Sequence, residues 1–234
     1  MIRISNFTKK YKDKIAVDGL NLSVEGGSIC GFIGHNGAGK TTTLKALVGI
    51  HDFDEGEIYV GGHSIKTQTL QAKRIMAYIP DNPDIYDFMT GIDYLNFISD
   101  AYQVKQKLRK SLIDKYAGLF EISGVLNDPI SSYSHGMKQK LVIISALVHS
   151  PQVLILDEPF VGLDPKASHT LKELMKDICD KGGAILFSTH VLEVAQNLCD
   201  TIAIIKNGSL LTSGTTHEVL QDKSLESLFL ELTD

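Results

Sequence analysis

The chain of 234 residues has no tryptophan and three cysteines. It also has no apolar run approaching the roughly 18 residues of a membrane-spanning helix. That gap excludes a span of its own. Cys30, Cys179 and Cys199 sit in apolar or helical settings, without metal-ligand spacing or a disulfide framework. Such usage fits a reducing compartment. The first residues, MIRISNFTKKYKDK, lack the apolar core of a secretory signal, so a cytoplasmic location is expected. Basic residues number 23 against 28 acidic ones, a net charge of −5, so no global basic field points to nucleic acid. Repeats and low-complexity segments are absent. The lack of tryptophan excludes nothing. Against these gaps stands a 43% share of hydrophobic residues. It supports one α/β domain with an inserted lobe, or two small domains.

What is present is concentrated at Gly34 to Thr41, GHNGAGKT. The spacing fits G-x-x-x-x-G-K-[ST], a phosphate-cradling loop. An apolar strand, Ser28 to Ile33, precedes it, and a helix read as Thr42 to Gly49 follows. Strand, glycine loop and helix together distinguish a working loop from a chance match. Glycines let several N–H groups point inward, and the helix N-terminus adds about half a positive charge. The pattern is built for a polyanion. Lys40 is placed to reach the β- and γ-phosphates of a nucleotide, and Thr41 to offer its hydroxyl to magnesium.

Residues 2 to 34 read as β-rich, with a turn at Gly26-Gly27. Short strands follow at Glu57 to Val60 and Ile75 to Ile79, the second stopped by Pro80. From Thr90 to Ser150 the pattern is helical. Thr90 reads as an N-cap. Val104 to Leu119 is amphipathic, with Leu108, Leu112 and Ile113 on one side and basic residues on a solvated face. Ser134 caps a helix running to His149, ended by Pro151. Strand-type segments return at Val153 to Leu156, Ala184 to Phe187 and Thr201 to Ile205, and the tail from Thr215 reads as one or two short helices. Val153 to Leu156 suits a parallel strand covered on both faces, and it ends in Asp157-Glu158. Ligands sit beyond the carboxyl ends of such strands. Asp157 is therefore placed to hold magnesium, and Glu158 to act as general base toward water.

GHNGAGKTT, YSHGMKQK, LILDEPFVGLDP and LFSTH occur in the order seen in the ATP-binding-cassette (ABC) nucleotide-binding subunits, and the chain resembles that family over essentially its whole length. The resemblance implies an α/β fold. Its P-loop core is a mainly parallel sheet, with an N-terminal antiparallel β part and an inserted helical subdomain. Residues 1–83 and 151–214 would form the core, 84–150 the signature subdomain and 215–234 a helical tail. Asn36, Gly37, Ala38, Gly39, Lys40, Thr41 and Thr42 match the Walker A loop that holds ATP. Asp157 and Glu158 match Walker B and its catalytic carboxylate. Gly162 to Asp164 matches the D-loop, and His190 the switch histidine. Tyr11 takes the place of the ring that stacks on adenine.

The signature departs from the family's Leu-Ser-Gly-Gly-Gln. Here Tyr133-Ser134-His135-Gly136-Met137 keeps Ser134 and Gly136 but has His135 for a glycine and Met137 for a glutamine. In the family this segment faces ATP on a partner subunit, which implies a homodimer or heterodimer closed by two nucleotides. This form resembles the subgroup serving bacterial drug, antibiotic-peptide and ion exporters. The resemblance implies an ATPase on the inner face of the cell membrane, working with separate transmembrane permease subunits. Soluble ABC machines acting on ribosomes or DNA are the alternative. They carry paired cassettes or long coiled coils, which this sequence lacks. Asp81 stands where the family has a glutamine near magnesium. It is either a replacement ligand or a turn cap between Pro80 and Pro83. His51, His63, His149, His169 and His217 read as surface or loop residues, and His35 as pointing outward.

Overall fold

The computed structural model describes residues 1–12, 14–221 and 223–233. Two sheets share the work. Strands β1 (Ile2–Tyr11) and β2 (Lys14–Val24) form an antiparallel pair, followed by β3 (Ser28–Ile33) and helix α1 (Lys40–Leu47). Next come β4 (Glu55–Val60), β5 (His63–Ser64), α2 (Thr69–Ile75) and β6 (Met76–Ile79). A helical stretch then carries α3 (Gly91–Ala101), α4 (Gln106–Leu119) and α5 (His135–Leu147). The chain returns through β7 (Val153–Asp157), α6 (Pro165–Asp180), β8 (Ala184–Thr189), α7 (Leu192–Leu198), β9 (Thr201–Lys206) and β10 (Ser209–Thr215). It finishes with α8 (Thr216–Leu220) and α9 (Leu225–Thr233).

One sheet runs β2-β1-β4-β5 and is antiparallel. The other runs β10-β9-β3-β8-β7-β6, parallel except for β10. Every residue of β7 and β8 is buried, as expected of parallel strands covered on both faces. β1 instead alternates at its start, Ile2 and Ile4 inward and Arg3 outward, because only one face meets the core. One apolar cluster, with Phe7, Phe32, Leu44 and Leu186, fills the space between the sheets. The other joins the helical stretch to the parallel sheet through Tyr94, Phe120, Leu141, Leu156 and Phe187. Among the described residues no helix is long and apolar enough to cross a membrane.

Several expected boundaries shift. α1 starts at Lys40, not Thr42, because the loop's own Lys-Thr opens the helix. α2 and β10 were not anticipated. Leu108 is 52% exposed, while α4 buries Ile113, Tyr116 and Ala117. Its basic residues are not all solvated either. Arg109 is half-buried and binds Asp100 and the Val104 carbonyl. His149 is not a loose surface residue: its ring stacks on Tyr102 (centroids 3.6 Å) and its Nε2 lies 3.2 Å from the Met76 carbonyl.

Candidate nucleotide-binding site

Four parallel strands, adjacent in the order β3-β8-β7-β6, end side by side. β3 leads into the glycine loop, β8 into His190, β7 into Glu158, and β6 into Pro80-Asp81. Chain topology thus brings together residues up to about 150 positions apart in sequence, at the strand ends where α/β sheets bind ligands. The loop curls through Gly37 (φ +81°) and Gly39 (φ +109°). At Gly39 a side chain would meet the Ala16 carbonyl at 2.7 Å, so space as well as φ demands glycine.

Lys40 is 6% exposed. Its ammonium donates to the carbonyls of Gly34 (2.6 Å) and His35 (3.2 Å) and lies 3.9 Å from Glu158 Oε1. Burial pulls its pKa below the usual lysine range, opposed by the charges of Glu158 and Asp157. Two neutral carbonyls are weaker partners than an anion, so a phosphate oxygen would be a better acceptor for this lysine.

Glu158 has a left-handed backbone (φ +48°), uncommon outside glycine. Its N–H donates to Ser188 at the carbonyl (3.2 Å) and at Oγ (3.0 Å), which holds the strained turn. The carboxylate points back at the cleft, with His190 Nδ1 3.0 Å from Oε2. His190 itself is half-exposed. Asp157 is fully buried and accepts a short hydrogen bond from the Ser188 hydroxyl. Burial raises its pKa; Ser188 and the nearby Thr41 hydroxyl oppose the rise, and Asp81 and Glu158 add to it. Its Oδ2 has no hydrogen-bond partner among the described residues. A buried carboxylate oxygen without a partner is costly unless a cation or donor meets it. With Thr41 and Asp81 nearby, the donor set is all hard oxygen and suits a small divalent cation such as magnesium. No group of three His, Cys, Asp or Glu able to hold a metal ion occurs among the described residues. The oxygens of a bound phosphate would have to complete such a site.

Tyr11, Asn36, Gly37, Gly39, Lys40, Thr41, Thr42, Asp81, Asp157 and Glu158 all line one cleft of about 330 Å³. Ala38 is buried behind it, and His190 reaches it through Glu158. Tyr11 is 43% exposed at the rim, with Lys9 Nζ 5.1 Å from its ring centroid and the His51 ring edge-on at 6.3 Å. Asp81 lines the cleft, yet its Oδ1 also accepts its neighbour Asn82's N–H at 2.9 Å. Asp81 therefore faces the cleft and caps its own turn at once. Lys14, Ala16 and Ser188 belong to the site but were missed. Ser188 has a signal in the sequence, since it lies next to the last residue of the buried strand beside the one ending in Asp157, and the two residues pair in register.

Ser134 and Gly136 lie outside this cleft. Ser134 caps α5, its Oγ accepting Met137 N–H at 3.3 Å, and is itself exposed. The His135 ring packs on Gly162, where a Cβ would approach it to 2.7 Å. Lys140 of α5 also pairs with Asp164 at 2.6 Å, and Asp164 caps α6. The signature segment and the D-loop segment thus interlock within one chain.

Comparison with known proteins gives the family and the fold. Residues 17–161 match the family model described as ABC transporter. The linearmycin resistance ATP-binding protein LnrL of Bacillus subtilis is 34% identical over 92% of this chain and 69% of its own length. A solved ATP-binding subunit of an ABC transporter superposes with TM-score 0.96, at 31% identity over the whole of both chains. A dimeric ATP-binding cassette bound to ADP and Pi superposes with TM-score 0.84 at 21% identity, over 92% of this chain and 99% of its own. This last likeness is one of fold.

Proposed function

This chain belongs to the ABC transporter family as an ATP-binding subunit with ATPase activity, and we propose that it powers an exporter by closing, with a second cassette, around two ATP molecules. One observation carries the proposal: Lys40, Asp157, Glu158 and Asp81 meet in a single cleft at the ends of adjacent parallel strands.

The loop amides and Lys40 bind the triphosphate, and Tyr11 stacks on adenine. Glu158 accepts a proton from the attacking water, while His190 orients the Glu158 carboxylate and faces the γ-phosphate. Thr41, Asp157 and Asp81 would hold magnesium, which would offset phosphate charge. Ser134 and Gly136 present the α5 N-terminus to the nucleotide of the second cassette, which is either an identical or a similar subunit. Residues 1–83 and 151–214 act as the nucleotide-binding core, 84–150 as the moving lobe and 215–234 as a tail.

The partner is a separate permease, so the chain works at the inner face of the cell membrane. Support comes from the helical lobe. Tyr86, Phe88 and Phe97 form an exposed aromatic patch, Phe88 being 85% exposed, with exposed Asp81, Asp84 and Asp87 close by in sequence. Exposed rings beside acidic groups suit the cytoplasmic loops of membrane proteins, which are rich in Lys and Arg. The linearmycin resistance relative supports an export role. No observation favours ribosomes or DNA. The test is purification from membranes of wild-type and Phe88→Glu chains. A polytopic protein should accompany the first and be lost from the second; equal recovery with both removes the patch from the interface.

A further inference from the structure

The last helix touches the phosphate loop, and the chemistry above makes no use of it. α9 buries Leu225 fully and leaves Phe229 6% exposed. Its first N–H, at Leu225, is held by Gln196 Oε1 of α7 at 2.7 Å. α7 follows His190 directly. At its middle α9 sets the Phe229 ring against the His35 imidazole, centroids 4.7 Å apart and planes 58° apart. That is direct aromatic contact. His35 is exposed apart from this neighbour, so it points outward only in part. Its carbonyl accepts Lys40 Nζ at 3.2 Å and Ala38 N–H at 3.1 Å, which closes the loop's first turn. One residue therefore joins the C-terminal helix to the lysine that meets the phosphates.

We propose that Phe229 is a positioning residue for ATP binding: by packing on His35 it pre-forms the phosphate loop. The proposal rests on the ATP-binding reading of the cleft. Phe229 is not itself a lining residue of the cleft, and its ring meets the phosphate loop at His35. A loop already curled costs less to order when the nucleotide arrives. The affected quantity is affinity, because the loop is ordered when the nucleotide binds, before the chemical step.

A double-mutant cycle on the full chain decides the matter. ATP Kd, KM and kcat are measured for Phe229→Ala, His35→Ala and the double variant. Each single change is expected to raise Kd about 3- to 10-fold with kcat within about 2-fold, and the double to add nothing beyond the larger single effect. Phe229→Tyr, which keeps the ring, should restore the wild-type Kd. If Phe229→Ala fails to fold, Phe229→Leu serves in the same cycle, since it keeps apolar volume and removes the ring. Unchanged Kd in the folded Phe229 variants, or strictly multiplied effects in the double, overturns the proposal. A wild-type chain that binds no ATP would instead overturn the reading of the cleft.

Discussion

In the nucleotide cleft, groups at the ends of β3, β6 and β7 face one space of about 330 Å³, and one chain supplies them all. In the helical lobe, Ser134 is exposed and lines no part of that space. The cleft gathers the nucleotide-facing groups that one chain can supply; the N-terminus of α5, proposed to meet an anion, has no such groups around it. The difference explains why one half of the chemistry belongs to a single subunit while the other half needs a neighbour. It also separates what mutations in each region should do.

The largest effect is expected in the cleft. Glu158→Gln should lower kcat by about two to four orders of magnitude, the worth of a general base, with ATP affinity retained. Steady-state hydrolysis and equilibrium binding check this together; a wild-type rate removes the role. Next comes Lys40→Ala. It takes away charged hydrogen bonds worth about 1.5–3 kcal/mol each, so ATP affinity should fall about 10- to 100-fold and turnover should become undetectable. The fold should persist, since the lysine serves a loop. Unimpaired hydrolysis by the purified variant would remove the loop from the account.

The third effect concerns the joint between the two regions. His149, at the end of α5, stacks on Tyr102 after α3 and meets the Met76 carbonyl in β6. Burial pushes its pKa from 6.5 down to about 4, against the opposing Met76 hydrogen bond. The unfolded chain takes up the proton below pH 6.5, while the folded chain resists until about pH 4. Stability tied to the neutral ring is thus complete above pH 6.5 and drains as pH falls toward 4. At pH 5 the loss should reach about 1–2 kcal/mol, a few degrees in Tm. His149→Gln should flatten that slope. Parallel Tm curves for the two proteins between pH 7 and 5 would contradict it.

The smallest effect belongs to Asp81, which faces the cleft and caps its own turn. Asp81→Ala should raise the magnesium needed for half-maximal turnover a few-fold and weaken transport more than ATP binding. An unchanged magnesium titration leaves only the turn cap.

The two regions also differed in how far their sequence could be read. The cleft was legible because β3, β7 and β8 are buried apolar runs followed at once by glycines or polar groups, so local pattern and site coincide. The lobe was less so. Leu108 looked like the buried face of α4, but Ile113, Tyr116 and Ala117 set the phase. Arg109, four residues before Ile113, shares their face and pairs there with Asp100. His149 reads as a surface or loop residue because its partners Tyr102 and Met76 are distant in sequence. α2 escaped notice because it buries only Ala72 and leaves Leu70 72% exposed, so no apolar stripe marks it. β10 is an edge strand without a buried residue, recognisable only by pairing with β9. The contact between Phe229 and His35 spans nearly the whole chain and leaves no local trace.

The central claim is that the signature helix completes a site on another subunit. It is tested by the molar mass of the ATP complex, measured by size-exclusion chromatography with light scattering. Glu158→Gln should form an ATP-dependent dimer, because hydrolysis no longer dissolves it. Adding Ser134→Arg should leave a monomer that still binds ATP, since the bulky cation replaces the cap at an exposed helix end far from the same chain's cleft. A dimer that persists with Ser134→Arg, or a folded monomer that loses ATP with that change, would contradict the account.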